Sequence, residues 1–252
     1  FFGEKRYIDG IMLDGFSFDA LASLQDLRAM NAPNVSVNIA LDNSSSTFAD
    51  KGSSVGAAAG MYCVRNIQED LGSVEIQNPP SAFKGQENYP LDNGIRFTQA
   101  LLVDGTNVAT LSSAVLTDLT AKGYIYAGSF AGYPGFYFNG SPTACALTND
   151  FAYINHNSVW NKAAREVRYA MIPKIRSILK KNPDTGYLTA TTAEALAQRG
   201  QARLDAMTAA GNCSGAKITI DPLQTPSDVT PLMANLEVVI NGILFKMEID
   251  IA

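Results

Sequence analysis

Hydrophobic and polar positions repeat with two periods along this chain, and each change of period marks an element. Leu21, Leu24 and Leu27 recur at helical spacing and predict a helix over residues 16–30. Val35, Val37, Ile39 and Leu41 alternate with Ser36, Asn38 and Ala40, the period of a strand. Residues 55–71 return to helical patterning, with the small face Gly56-Ala57-Ala58-Ala59-Gly60, and Gly72 ends the run. Residues 78–94 hold three prolines and predict a loop. Residues 97–103 form a strand stopped by Asp104-Gly105, and 112–122 a helix stopped by Gly123. Aromatic strand runs at 124–130 and 136–138 flank Gly132-Tyr133-Pro134-Gly135 as a wide hairpin.

The second half carries two longer helices. From Ser158, the apolar positions Val159, Ala163, Val167, Ala170, Met171, Ile175 and Ile178 share one side of a straight helix. Lys162, Arg165, Arg176 and Lys180 fall opposite, and Pro173 is expected to kink or restart the helix. Residues 191–210 start at a Thr191/Glu194 capping box, bury Leu196, Ala197, Gly200, Leu204 and Met207, and end at Gly211. A strand over 216–220 stops at Asp221-Pro222, and Asn241-Gly242 predicts a hairpin between 236–240 and 243–251. The order of elements gives an α/β (α+β) protein with mixed sheets flanked by helices and a C-terminal β-hairpin. A boundary between residues 1–142 and 143–252 is expected in the loop after the aromatic hairpin.

Charge changes this picture most. Residues 157–181 hold Lys162, Arg165, Arg168, Lys174, Arg176, Lys180 and Lys181 against Glu166 alone. That local +6 sits in a chain of net charge −5 and leaves −11 for the rest, so the basic side is built for something acidic or for an acidic part of a second copy of the chain. The sequence pI near 4.9 argues against nucleic acid as the partner of the whole chain. Charged residues make up 17%, below the usual ~25%, as expected where much surface meets protein. No run reaches the ~18 apolar residues of a membrane span, so no membrane partner is expected. Cys63, Cys145 and Cys213 are odd in number and far apart, which fits free thiols in a reducing compartment. The chain opens on Phe1-Phe2 without methionine, so further native residues are expected upstream.

Candidate chemistry is sparse. His156 is the single histidine, in an Asn-rich turn that favours a capping or solvated role. No nucleophile–base pair and no phosphate-binding glycine loop is visible, so neither an enzyme nor a cofactor is expected. One motif stands out: Asp42-Asn43-Ser44-Ser45-Ser46 resembles the D-x-S-x-S metal-ion-dependent adhesion motif of von Willebrand factor A domains. Asp42, Ser44 and Ser46 could then hold Mg²⁺, with Asp104 resembling the further strand-end ligand. Thr98, inside a strand, does not supply the loop threonine of that pattern. A Ser-rich loop with an Asx-turn is the alternative.

A wider resemblance lies in the second half. The aromatic pair Gly-Tyr-Ile-Tyr and Gly-Phe-Tyr-Phe leads to the helix Val159-Trp160-Asn161-Lys162-Ala163-Ala164-Arg165, running on to Pro173. A second helix, a strand ending Ile220-Asp221-Pro222 and the terminal hairpin follow. This order resembles contractile phage-type tail sheath proteins, most closely over residues 160–173, and residues 34–60 are similar to that family's middle region. The resemblance implies a virion or injection-particle subunit, assembled in the bacterial cytoplasm, with no cofactor. Six copies would form a ring, and stacked rings would surround a tail tube protein and contract, meeting baseplate and terminator at the ends. It implies Lys162, Arg165, Arg168, Arg176 and Lys180 as contacts to tube or neighbour. It implies Phe245, Met247, Ile249 and Ile251 as one face of a strand added to a neighbour's sheet.

Overall fold

The computed structural model describes residues 11–14, 21–42, 53–74, 97, 99–132 and 135–245. In chain order the elements are β1 (Ile11–Asp14), β2 (Val35–Asn38), β3 (Ala40–Asp42), α1 (Val55–Val64), β4 (Ala100–Leu102), α2 (Ser113–Lys122), β5 (Tyr124–Ile125), β6 (Ala127–Gly128) and β7 (Tyr137–Phe138). Then follow α3 (Ile154–Met171), α4 (Ala190–Ala209), β8 (Gly215–Thr219) and β9 (Asn235–Val239). β1, β2 and β5 form a parallel sheet, while β3–β4, β6–β7 and β8–β9 are antiparallel pairs. The fold is thus mixed α+β, with an antiparallel strand pair towards its C-terminal end. The chain divides into two compact units after Asn157, inside α3.

In the first unit, local side-chain bonds redraw several sequence-predicted boundaries. Of the helix expected over 16–30, residues 16–20 lie outside the described residues, and the remainder holds two 3-10 turns, Leu21–Ser23 and Leu27–Met30. Asp26 takes the Arg28 N–H at 2.9 Å and starts the second turn afresh, and Asn31 closes it with φ 51°. The predicted strand over 35–41 breaks at Ile39, whose N–H bonds Ile125 O at 2.8 Å and whose carbonyl takes Val103 N–H at 3.0 Å. One residue therefore hands the strand from the parallel sheet to the β3–β4 pair. Both faces of β2 are covered, so the polar positions Ser36 and Asn38 are buried too. Ser36 Oγ bonds Pro142 O at 2.7 Å.

α1 ends at Val64, not 71. Arg65 turns extended and its guanidinium donates to Asp70 O. Glu69 closes the turn on Asn66 N–H and Nδ2 at 2.9 and 2.6 Å. Gly72 then lies against Gly140: a Cβ there would meet the Gly140 backbone at 2.8 Å. α2 matches its prediction, with Ser112 capping the Val115 N–H and Gly123 closing the helix at φ 87°.

Nineteen buried residues, among them Ile39, Leu102, Leu119, Ile125 and Phe138, form one contiguous core in this unit. Phe97 and Phe138 meet edge-on at 6.2 Å. Arg28 pins the loops above it by donating to the carbonyls of Thr143, Cys145 and Ala152 at 3.1–3.3 Å. Desolvation there lowers its pKa, against the raising fields of Tyr153, Cys145 and Asp26.

The second unit is built on α4 and the β8–β9 pair. Thr189, two residues before the predicted capping box, is the cap and takes the Thr192 N–H. Ala193, Leu196, Gly200, Leu204 and Met207 form the buried stripe, and Gly211 follows the last turn at φ 74°. A small cluster of Ala193, Leu196 and Ile220 is ringed by partly buried Met171, Leu179, Ala197 and Leu232. Asn241-Gly242 does not make the expected hairpin among the described residues. β9 pairs back onto β8, and 241–245 carry no strand. The Asn241 side chain is used elsewhere: Nδ2 donates to Gly211 O and Oδ1 accepts from Ser214 Oγ, both at 2.9 Å.

Candidate assembly surface

The basic stretch begins on α3 and leaves it. α3 starts at Ile154, four residues earlier than predicted, with Asn155, Asn157 and Ser158 buried in its first turn. It ends at Met171, because Pro173 lacks the N–H a longer helix would need. A 3-10 turn, Ile172–Lys174, follows, and Arg176 is left-handed at φ 63°. The single straight-helix arc of cations is therefore corrected to two groups. Lys162, Arg165 and Arg168 stand on α3, while Arg176 and Lys180 stand on the extended segment beyond.

The two groups differ in environment. Lys162 Nζ donates to Asn212 Oδ1 at 2.6 Å, and Glu166 pairs with Arg203 of α4 at 3.7 Å. Arg165, Arg168 and Arg176 each engage a partner as well. Beyond the helix, Lys174 and Lys180 join Arg199 of α4 around a groove of about 610 Å³ floored by Leu179 and Leu196. None of these three makes an ion pair among the described residues. The groove thus gathers three cations with no carboxylate partner among the described residues.

The apolar half of the prediction fails in an informative way. Ile175 and Ile178, expected on the buried side, are 66% and 98% exposed, because the chain is no longer helical there. Tyr169, Ile172 and Tyr187 nearby are exposed as well, as are Leu223, Val229 and Met233 after β8. Apolar surface on that scale, rimmed by cations, is typical of a protein-binding face.

The β8–β9 pair presents two edges. Gln201 of α4 reaches one: its Oε1 accepts the Ile218 N–H at 3.1 Å and its Nε2 donates to Ala216 O at 2.9 Å. Gly200 packs closely on β8: a Cβ there would meet Ile218 Cδ1, the mobile tip of that side chain, at 2.9 Å. Sequence reasoning missed Gln201, because a glutamine beside a helix stripe carries no periodic signal. Of the residues expected in an added strand, Phe245 is exposed, while Met247, Ile249 and Ile251 lie outside the described residues.

The metal motif gains nothing here. Asp42 ends β3 opposite Ala100, and Ser44 and Ser46 lie outside the described residues. Asp104 spends its carboxylate on its own turn, accepting from Thr106 N–H at 2.9 Å and Thr106 Oγ1 at 2.7 Å. His156 touches Asp150 O at 3.1 Å and the Tyr153 ring at 5.2 Å between centroids. Among the described residues, no helix is long and apolar enough to cross a membrane.

This arrangement has the fold of contractile injection-system components. The chain resembles a chain in the cryo-EM structure of the sheath complex of an extracellular contractile injection system (PVC) in its contracted state. The TM-score is 0.58 at 12% identity, over 94% of this chain and 62% of that one. It also resembles a chain of the anti-feeding prophage (AFP) baseplate, with TM-score 0.54 at 12% identity, over 88% of this chain and 55% of that one. The chain thus spans between half and two thirds of each neighbour. It belongs to the DUF2586 family: the N-terminal domain model matches residues 17–141 and the C-terminal domain model 150–252. No curated protein matches it in sequence.

Proposed function

We propose that this chain is a structural subunit of a contractile tail sheath, polymerising as six-membered rings stacked around an inner tube and shortening to drive the tube through a cell envelope. The likeness to the contracted sheath complex over 94% of the chain is the observation that carries this reading. The exposed apolar residues of the second unit support it, as do Lys174, Lys180 and Arg199, which make no ion pair among the described residues, because a subunit interface buries surface of this kind. Lys162, Arg165, Arg168, Arg176 and Lys180 are the proposed contacts to the tube or to a ring neighbour. Phe245, Met247, Ile249 and Ile251 are the proposed face of a strand that joins a neighbour's sheet. Contraction would draw on a metastable extended lattice and so needs no nucleotide site.

Electron microscopy of the purified protein at high concentration tests this directly. Rings or striated tubes are expected, and charge reversal at Arg165 and Arg176 is expected to block them while the fold persists. Dispersed particles under all salt conditions would refute the sheath reading.

A further inference from the structure

The two edges of the β8–β9 pair are not equivalent, and the difference is chemical. In a strand, the N–H and C=O of alternate residues point the same way. Gln201 bonds Ala216 O and Ile218 N–H, so these residues turn their backbone groups away from β9. One residue of an added parallel strand would supply that same donor–acceptor pair. The side chain therefore occupies one rung of the ladder that β8 would offer a newcomer. Its orientation is fixed, since Nε2 also donates to Asp205 Oδ1 at 2.8 Å one turn along α4. A flipped amide would set N–H against N–H at Ile218.

Among the described residues, β9 has no such cover. The ladder register pairs Lys217 with Glu237 and Ile218 with Leu236. Lys217 faces β9, so Leu236 and Val238 turn their N–H and C=O outward, where they meet no partner among the described residues. An open edge of this kind templates strand pairing.

We propose that Gln201 closes the β8 edge and so directs an incoming strand from a second copy of this chain to β9 alone. This rests on the structural-subunit reading above and names the residue that decides where copies join. The strand committed to is residues 243–251 of the second copy. Phe245, Met247, Ile249 and Ile251 alternate there with Lys246, Glu248 and Asp250. β9 alternates likewise, with Leu236 and Val238 half-buried and Asn235, Glu237 and Val239 exposed. Such a strand sets its apolar residues beside Leu236 and Val238 and its charged ones beside Asn235 and Glu237.

A synthetic peptide of residues 243–252, added to the full chain and followed by amide hydrogen exchange, tests the assignment. The peptide is expected to slow exchange at Leu236 and Val238 at least about tenfold and to leave Ile218 unchanged. Gln201→Ala keeps α4 intact, since alanine is the best helix former. In that variant Ile218 should exchange faster without peptide and slow down with it, as a second strand docks on β8. Gln201→Glu, which keeps the acceptor and loses the donor, should fall between. Protection of Ile218 by peptide in the unaltered chain would overturn the proposal. So would unchanged exchange at Leu236 and Val238, or a Gln201→Ala chain that still binds peptide only at β9. A chain that binds peptide as expected but forms no rings or tubes would count against the subunit reading and leave the edge assignment standing.

Discussion

The two units of this chain solve the problem of apolar surface in opposite ways. The first gathers nineteen buried residues into one core and leaves five large hydrophobic side chains exposed among its described residues. The second leaves eleven exposed, although fewer of its residues are described. Its inward stripe on α4 is well made, so the exposed set is not a failure of patterning. It is concentrated in segments that leave regular structure, residues 172–187 and 223–245, where side chains have no neighbouring turn to pack on. Exposed apolar surface of that extent, among the described residues, is the kind that marks a protein-binding face. The comparison separates residues that hold the fold from residues proposed to meet a partner.

Mutations can break this comparison in order of size. Ile125→Ala, at a fully buried position of the first unit, should cost about 2–5 kcal/mol. Denaturant unfolding would read this as a lower midpoint at unchanged slope. Arg28→Ala removes a donor from three carbonyls, of which Thr143 O and Ala152 O keep a backbone N–H, and should cost ~1–3 kcal/mol, measured the same way. Ile178→Ser in the second unit should do the reverse, changing stability by less than about 0.5 kcal/mol while reducing assembly in sedimentation. A large loss of stability there would place Ile178 in the fold instead.

The smallest effect is in pH. Burial raises the phenol pKa of Tyr126, partly offset by its hydrogen bond to Thr120, and burial likewise raises Tyr124 and Tyr153. A raised folded pKa means that the native state holds its proton longer than the unfolded one. Stability is therefore full below pH ~10 and falls as pH rises past it. Thermal unfolding across pH 9–11 should show this fall, and Tyr126→Phe should flatten it.

The sequence announces elements whose signals are local. Ser112 and Gly123 bracket α2, and the stripe Leu196, Gly200, Leu204 and Met207 defines α4 by its periodicity alone. It hides what depends on contacts between distant residues. The break at Ile39 needs Ile125 and Val103, more than sixty residues away, to take its backbone groups. The Asn241-Gly242 turn signal is followed by no strand over 243–245, where Gly211 and Ser214 engage the Asn241 side chain, and the rest of its expected second strand lies outside the described residues. The basic stripe is legible as charge but not as geometry, since at Pro173 α3 gives way to a short 3-10 turn and the chain then leaves the helix axis. Gln201 was illegible altogether, because its role exists only once Gly200 brings α4 against β8.

Amide hydrogen exchange over the whole chain, compared between the dispersed and the assembled protein, tests the contrast between the units most directly. The account predicts that protection gained on assembly concentrates in residues 169–245, at Ile175, Ile178 and the outer amides of β9, while the core strands of the first unit are protected in both forms. Gains concentrated within residues 11–157, with residues 169–245 exchanging freely in the assembled form, would contradict it.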